Sequence, residues 1–204
     1  MKTFFLLSVV ALLPVILSAL IYLAERTKAI RKLPYAVRQL LIGVLFGGLA
    51  ILGTEFGIKT DGAIINARDA SPICAGLLFG APAGIIAGLI GGVERWFAVL
   101  WGAGQYTRLA CSISTVLAGV FAAVLRKFMF DNKKPKWYYC LATATITEVI
   151  HMLMIFLTNM TDARTAFSFV RTCSLPMIAV NSLAVMLAGL LLSILSGADR
   201  KSER

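Results

Sequence analysis

The sequence predicts an all-α polytopic membrane protein with five long transmembrane helices and a short glycine-rich helical hairpin at residues 72–95. Of its 204 residues, 59% are hydrophobic and 15% are charged, and the mean hydropathy is +0.84. Soluble domains are nearer half apolar and about a quarter charged. Several apolar runs also approach the ~20 residues that a spanning helix needs. We therefore expect the lipid bilayer to be the main surroundings of the chain.

The net charge of +10 comes mainly from residues that flank apolar runs. Thirteen of the 20 Lys and Arg residues lie in the segments 26–38, 126–136 and 200–204. Basic residues in such places orient helices and attract anionic lipid headgroups. The pattern therefore argues against nucleic acid as a partner. It predicts that these three segments are cytoplasmic and that the N-terminus is outside.

The elements follow from the apolar runs in chain order. The expected helices cover residues 3–24, 39–57, 110–126, 137–158 and 175–196. A polar segment at 58–71, a loop with Trp96 and Trp101 at 96–109, and a short, partly helical outer loop at 159–174 connect them. The first helix is too long for a signal-peptide core and should be retained. We expect one transmembrane domain, 1–196, and a basic tail, 197–204.

The hairpin follows from counting membrane crossings. Both basic loops must be inside, so the stretch 72–95 crosses twice or not at all. Gly80, Pro82 and Gly84 offer a turn, because Pro82 lacks an amide donor and disfavours helix before it. Two arms of about 10–12 residues would each rise about 15–18 Å, half of the apolar core. The alternative is one straight helix, since glycine recurs every four residues from Gly76 to Gly92, a stripe suited to close packing.

The hairpin would bring Arg68 and Arg95 together at its extracytoplasmic end. Cys111, Ser112 and Ser114, at the outer end of the helix 110–126, would lie beside them. Two guanidinium groups with neutral polar neighbours suit a small carboxylate. The alternative is that the arginines serve structure only, Arg68 pairing with Asp61 or Asp69 and Arg95 with Glu94.

Other polar residues lie within the apolar runs. Glu148 and His151 share a helix face, as a proton-linked pair, a metal pair or a polar contact between helices. One His and one Glu are too few for a zinc site, so no metal or other cofactor is expected. Asn181 is expected to hydrogen-bond between helices. The four cysteines lack paired spacing and should be buried free thiols. No sequence motif of an enzyme is present.

Several motifs together resemble the multi-transmembrane receptor domain of LytS-like sensor histidine kinases. They are Gly53–Gly57, Asn66-x-Arg68, Gly76–Pro82, Gly91–Arg95, Cys111–Thr115, Thr147-Glu148 and Pro176–Asn181. The similarity covers about residues 53–192 and is greatest to pyruvate-sensing kinases of bacteria. The hairpin is also similar to the substrate-binding subunits of energy-coupling-factor vitamin transporters.

The resemblance implies a receptor in the bacterial cytoplasmic membrane that binds pyruvate or a similar carboxylate. By position, the resemblance assigns ligand binding to Arg68, Arg95, Cys111 and Ser114, with Asn66 and Ser112 as further ligand-binding candidates. It implies that Glu148, His151 and Asn181 support these residues without contacting the ligand. A cytoplasmic kinase domain or response-regulator pathway would be the partner, and a homodimer is compatible with it. Such kinases continue into signalling domains beyond the position of Arg204, so we expect no catalysis from these residues. A solute-capture or transport role and a purely structural role remain the alternatives.

Overall fold

The computed structural model is a bundle of long helices and describes residues 2–60, 63–102 and 104–202, with the side chains of 7–27, 30–59, 64–102 and 104–197. The long helices are α1 (Lys2–Ala24), α3 (Tyr35–Glu55), α5 (Ala81–Phe97), α6 (Arg108–Phe128), α7 (Trp137–Thr158) and α8 (Ala163–Ser202). The shorter elements are α2 (Lys28–Arg31), α4 (Ala70–Cys74), which continues as a π-helix over Ala75–Phe79, and the 3-10 turns Ala98–Leu100 and Met160–Asp162. Two strands, β1 (Ile58–Thr60) and β2 (Ala63–Ile65), pair antiparallel.

Six helices in the described chain are long and apolar enough to cross a membrane, which is one more than expected. The additional one is the second arm of the hairpin, which continues from Ala81 to Leu100. The all-helical, multi-pass prediction is confirmed. The predicted count of five holds only if this arm is assigned to the hairpin.

The helix breaks at Gly80, so the alternative of one straight helix over 72–95 is wrong. Gly80 has φ +157° and ψ 154°, a conformation that only glycine adopts readily. The two arms are in contact, since a Cβ added at Gly84 would lie 2.5 Å from the Gly76 Cα. Small residues on both arms therefore allow the close packing that the glycine stripe predicts.

The prediction of two equal arms that turn half-way through the bundle is wrong. The first arm has five α-helical and five π-helical residues, whereas α5 has 17. Gln39, in the first turns of α3, donates to the Phe79 carbonyl at 3.2 Å and accepts from the Ala83 amide at 3.2 Å. The turn at Gly80 therefore lies at the same end of the bundle as the start of α3.

Both basic loops meet at that end, as the crossing count requires. A cavity of about 420 Å³ is lined there by Glu25, Arg38, Phe79, Arg126 and Lys134, among others. Lys134 also lies over the Phe79 ring, 5.7 Å from its centroid. The hairpin turn and the basic segments 25–38 and 126–136 therefore share one end.

Two connections differ from the sequence expectation. The segment 159–174 is partly helical, as expected, but the last helix begins at Ala163 and not at residue 175, and the Asp162 side chain accepts from the Thr165 amide at 3.2 Å at its start. The polar segment 58–71 contains the strand pair, in which Thr60 opposes Ala63. The sequence expectation did not include this strand pair, and residues 61–62 between the strands lie outside the described part of the chain.

Candidate functional site

A buried polar cluster lies where the segment before α4 meets α6 and α7. It comprises Arg68, Asp69, Arg95, Cys111, Thr115, Glu148 and His151. Every one of these side chains except Cys111 has no exposed surface, and Cys111 is 4% exposed. Buried charged groups require partners in protein interiors, so each contact in the cluster bears on its chemistry.

Arg68 is held by four neighbours, which belong to α3, α6 and its own segment. Its Nε donates to Thr115 Oγ1 at 2.6 Å and to Asp69 Oδ1 at 3.3 Å. Its Nη1 donates to Thr54 Oγ1 and its Nη2 to the Cys111 carbonyl, each at 3.4 Å. The pairing with Asp69 confirms one of the alternatives that the sequence left open; Asp61 lies outside the described residues. Arg68 therefore has a structural role whether or not it also meets a ligand.

The segment that carries Arg68 is fixed by two asparagines. Asn66 Oδ1 accepts from the Arg68 amide at 3.1 Å, and its Nδ2 donates to the Ile64 carbonyl at 2.8 Å. Asn181 of α8 donates to the Asn66 carbonyl at 3.1 Å and accepts from the Ala70 amide at 2.9 Å. Ala70 begins the first hairpin arm. Asn181 therefore connects α8 directly to the start of this arm, beside the arginine.

His151 joins a thiol to a carboxylate. Its Nδ1 lies 2.8 Å from Asp69 Oδ2, and its Nε2 lies 3.3 Å from Cys111 Sγ. Thr115 donates to the other oxygen of Asp69 at 2.7 Å, which fixes that carboxylate. Glu148 Oε2 is 3.8 Å from the same Nδ1. His151 thus makes the polar contact of α7 with α6 and with the Arg68 segment, whereas both oxygens of the buried Glu148 carboxylate have no hydrogen-bond partner among the described residues.

Arg95 differs from Arg68 in having donors without partners. Its Nη2 donates to the Gly104 carbonyl at 2.7 Å and to Thr107 Oγ1 at 3.3 Å. Its Nε and Nη1 are buried and have no hydrogen-bond partner among the described residues, and the same holds for Ser114 Oγ. Arg95 makes no ion pair in the described part of the chain, so its alternative pairing with Glu94 is not seen. A buried cation of this kind suits an anionic ligand.

Ser112 lies apart from this cluster. Its hydroxyl donates to the Arg108 carbonyl of its own helix at 2.8 Å. Its backbone carbonyl faces Gly92 of α5, so the residue belongs to the α5–α6 contact. The structure thus groups Arg68, Arg95, Cys111, Glu148 and His151, with Asn66 and Asn181 supporting them, and leaves Ser112 at the edge.

A metal ion is a further use that the cluster could have. Asp69, Glu148 and His151 each offer a ligand atom, and these atoms lie within 4.8 Å of one another. However, Asp69 already pairs with the Arg68 guanidinium at 3.3 Å. A divalent cation here would stand close to that fixed positive charge, which opposes its binding. The arrangement therefore favours an anion over a metal.

Sequence reasoning missed two members of the network and one residue that supports it. Thr115 enters the sequence prediction only as the end of the Cys111–Thr115 motif, although it follows Cys111 by one helical turn on the same face. Asp69 was considered only as a partner of Arg68, and its contact with His151 links residues 82 positions apart. Gly104, at φ +91°, lets its backbone approach the Arg95 guanidinium so closely that a Cβ would collide with it.

Known proteins similar to this chain are sensor kinases. The sensor histidine kinase BtsS of Escherichia coli K12 is 27% identical over 152 residues, 73% of this chain and 26% of the relative. The sensor protein LytS of Bacillus cereus is 29% identical over 166 residues, 79% of this chain and 26% of the relative. The sensor histidine kinase YpdA of E. coli K12 is 25% identical over 169 residues, 82% and 29% respectively. The chain thus spans about a quarter of the length of these curated relatives.

The family comparison covers most of the chain. No solved structure matches the chain. The family model described as "5TMR of 5TMR-LYT" matches residues 21–194, which include both hairpin arms and the whole polar cluster. The chain therefore belongs to the 5TMR-LYT family, the multi-transmembrane receptor domains of LytS-type sensor histidine kinases.

Proposed function

We propose that this multi-pass membrane receptor binds a small extracytoplasmic carboxylate, pyruvate or a close analogue, and signals to a cytoplasmic kinase or other effector. The carboxylate would be held by Arg95, with Ser114 and Cys111 beside it and Arg68 behind it. The topology that makes this ligand extracytoplasmic rests on the basic loops, which we place inside.

The observation that carries the proposal is the state of the Arg95 side chain. It is fully buried, its described partners are neutral, and two of its donors point to no acceptor in the described chain. A guanidinium binds a carboxylate through two parallel hydrogen bonds, which would use such donors. The Arg68 charge is already balanced by Asp69, so Arg95 is the arginine that can bind a new anion.

Signal transfer would use the connection between the cluster and α8. Asn181 binds both Asn66 and Ala70, which flank the Arg68 segment. A ligand that prefers one position of this segment would bias the position of α8 and of whatever follows it. The helix α8 has 40 residues, so a displacement at Asn181 can reach the end of the chain that we place in the cytoplasm.

The size of the ligand limits its affinity. Pyruvate has six non-hydrogen atoms, and the best small ligands gain about 1.5 kcal/mol per atom. The ceiling is about 9 kcal/mol, so the dissociation constant should not fall much below tenths of micromolar. An affinity in the micromolar range or weaker is expected.

Isothermal titration calorimetry of the purified full chain with pyruvate tests the proposal. Arg95→Ala should weaken binding by about 10–100-fold, because a charged hydrogen bond contributes about 1.5–3 kcal/mol. The matched control is Arg108→Ala, since Arg108 packs over the Trp96 ring at 4.0 Å and donates to the Trp96 carbonyl. That variant should bind like the parent. Equal affinity of the parent and the Arg95 variant would refute the site.

A further inference from the structure

The single histidine of the chain is placed to activate one cysteine. His151 Nε2 lies 3.3 Å from Cys111 Sγ, and its Nδ1 lies 2.8 Å from Asp69. A carboxylate on one ring nitrogen orients the imidazole so that the other nitrogen can take a proton from a nucleophile. Cys74, Cys140 and Cys173 are buried free thiols too, but the chain has no second imidazole to serve them.

The rest of the cluster holds this arrangement in place. Thr115 and Arg68 both donate to Asp69 Oδ1, which leaves Oδ2 for His151. Arg68 Nη2 donates to the Cys111 backbone carbonyl at 3.4 Å, so a guanidinium group lies beside Cys111. Reactive cysteines are found in such electropositive surroundings, whereas structural cysteines are found in apolar ones. A structural thiol would need neither the histidine nor the carboxylate.

We propose that Cys111 captures its ligand covalently and reversibly, as a hemithioketal with the keto carbon of an α-keto acid. This inference rests on the proposed function, because it assumes that Arg95 holds the carboxylate of the same molecule. The carbonyl carbon of an α-keto acid is bonded to the carboxylate carbon and is electrophilic. Arg95 donates to Thr107 Oγ1 at 3.3 Å, and the Thr107 carbonyl accepts from the Cys111 amide at 2.9 Å, so a carboxylate bound at Arg95 would bring that carbon toward the Cys111 sulfur.

The chemical step is balanced and needs no oxidant or reductant. The thiol proton passes from Sγ to His151 Nε2, and the sulfur lone pair forms a C–S bond to the keto carbon. The π electrons of the carbonyl move to its oxygen, which then takes the proton back from Nε2. The product is a tertiary alcohol bearing the Cys111 thioether, and the reverse sequence releases the ligand. Asp69 stabilises the transient imidazolium.

This chemistry determines which ligands are accepted. A 2-hydroxy acid such as lactate offers the same carboxylate to Arg95 but has no carbonyl for the sulfur to attack. A simple carboxylate such as acetate lacks it as well. The receptor would therefore distinguish keto acids from both classes by a bond that only the keto acid can form.

Carbon NMR of the full chain with pyruvate labelled at C2 tests the inference. Bound pyruvate should show its C2 resonance moved from the ketone region to that of an sp³ carbon bearing sulfur and oxygen. The signal should persist in Cys140→Ser, a matched buried cysteine, and be lost in Cys111→Ser and reduced in His151→Gln. A spectrum of pyruvate in buffer without protein gives the C2 resonance of its hydrate. The hydrate also has an sp³ carbon at C2, but its signal does not depend on Cys111.

The possible outcomes separate this inference from the proposed function. If calorimetry detects pyruvate binding while the C2 resonance stays in the ketone region, the hemithioketal is refuted and the receptor function stands. If the parent chain does not bind pyruvate in calorimetry, the proposed function itself fails. The decisive spectrum is that of the parent protein, so a variant that misfolds does not affect the result.

Discussion

Replacing Asn181 by alanine should both destabilise the protein and weaken ligand binding. Asn181 is fully buried, donates to the Asn66 carbonyl at 3.1 Å and accepts from the Ala70 amide at 2.9 Å. The Ala70 amide belongs to the first turn of α4, where no intrahelical acceptor is available. The substitution therefore leaves two buried backbone groups without their side-chain partner.

The size of the effect follows from those two bonds. Side-chain hydrogen bonds in membrane proteins average about 0.6 kcal/mol and reach about 1.7, so two contribute about 1–3 kcal/mol. A buried group left unsatisfied costs about 1–3 kcal/mol. We expect a loss near 3 kcal/mol, which at about 2–4 °C per kcal/mol lowers the melting temperature by roughly 6–12 °C.

The assay is thermal unfolding of the purified chain, with pyruvate affinity measured on the same samples. Ser182→Ala is the matched control, since Ser182 is the next residue and accepts one hydrogen bond from Thr145 at 3.0 Å. Loss of that single bond costs about 0.6 kcal/mol and should shift the melting temperature by only about 1–2 °C. Equal shifts for the two variants, or unchanged ligand affinity in Asn181→Ala, would refute the role given to Asn181.

Three further predictions concern Arg95, the hairpin turn and Arg68 in that order. Gly104→Ala should displace the Arg95 guanidinium and weaken pyruvate binding in calorimetry, because a Cβ would collide with it and φ is +91°; unchanged affinity would contradict this. Gln39→Leu should cost about 2–6 kcal/mol of unfolding free energy and so lower the melting temperature, because the Phe79 carbonyl and the Ala83 amide at the hairpin turn lose their partner. Gln39→Glu keeps the acceptor for the Ala83 amide and should lose less stability. Arg68→Met should lose about 3–5 kcal/mol of stability, because it leaves the buried Asp69 carboxylate without its cation. Arg95→Met should lose clearly less in the same thermal unfolding assay, and the reverse order would contradict the assigned roles.

The hairpin could be predicted because its signals are local. Gly80 and Pro82 stop a helix whatever surrounds them, and the basic loops constrain the number of crossings. The depth of the turn could not be predicted, because it is set by Gln39, whose amide binds both sides of the turn from another helix. No periodicity within the stretch 72–95 encodes that contact.

Which residues belong to the polar cluster was predicted better than which of them contact one another. Arg68, Arg95 and Cys111 come together once the topology is known. Helical spacing also shows that Glu148 and His151 share a face. What the sequence cannot show is that His151 contacts Asp69 and Cys111, since those contacts depend on how α7 packs beside α6 and the Arg68 segment.

The two arginines, equivalent in the sequence, have different roles in the proposed receptor. Arg68 is bound by Asp69, Thr115 and the segment that Asn181 connects to α8, so its position reports the state of the bundle. Arg95 keeps two buried donors that no described residue accepts. A ligand carboxylate that binds Arg95 also adds negative charge beside Arg68. The ligand then competes with Asp69 for the Arg68 guanidinium. That competition gives the ligand a way to loosen the Arg68 segment and thereby act on α8.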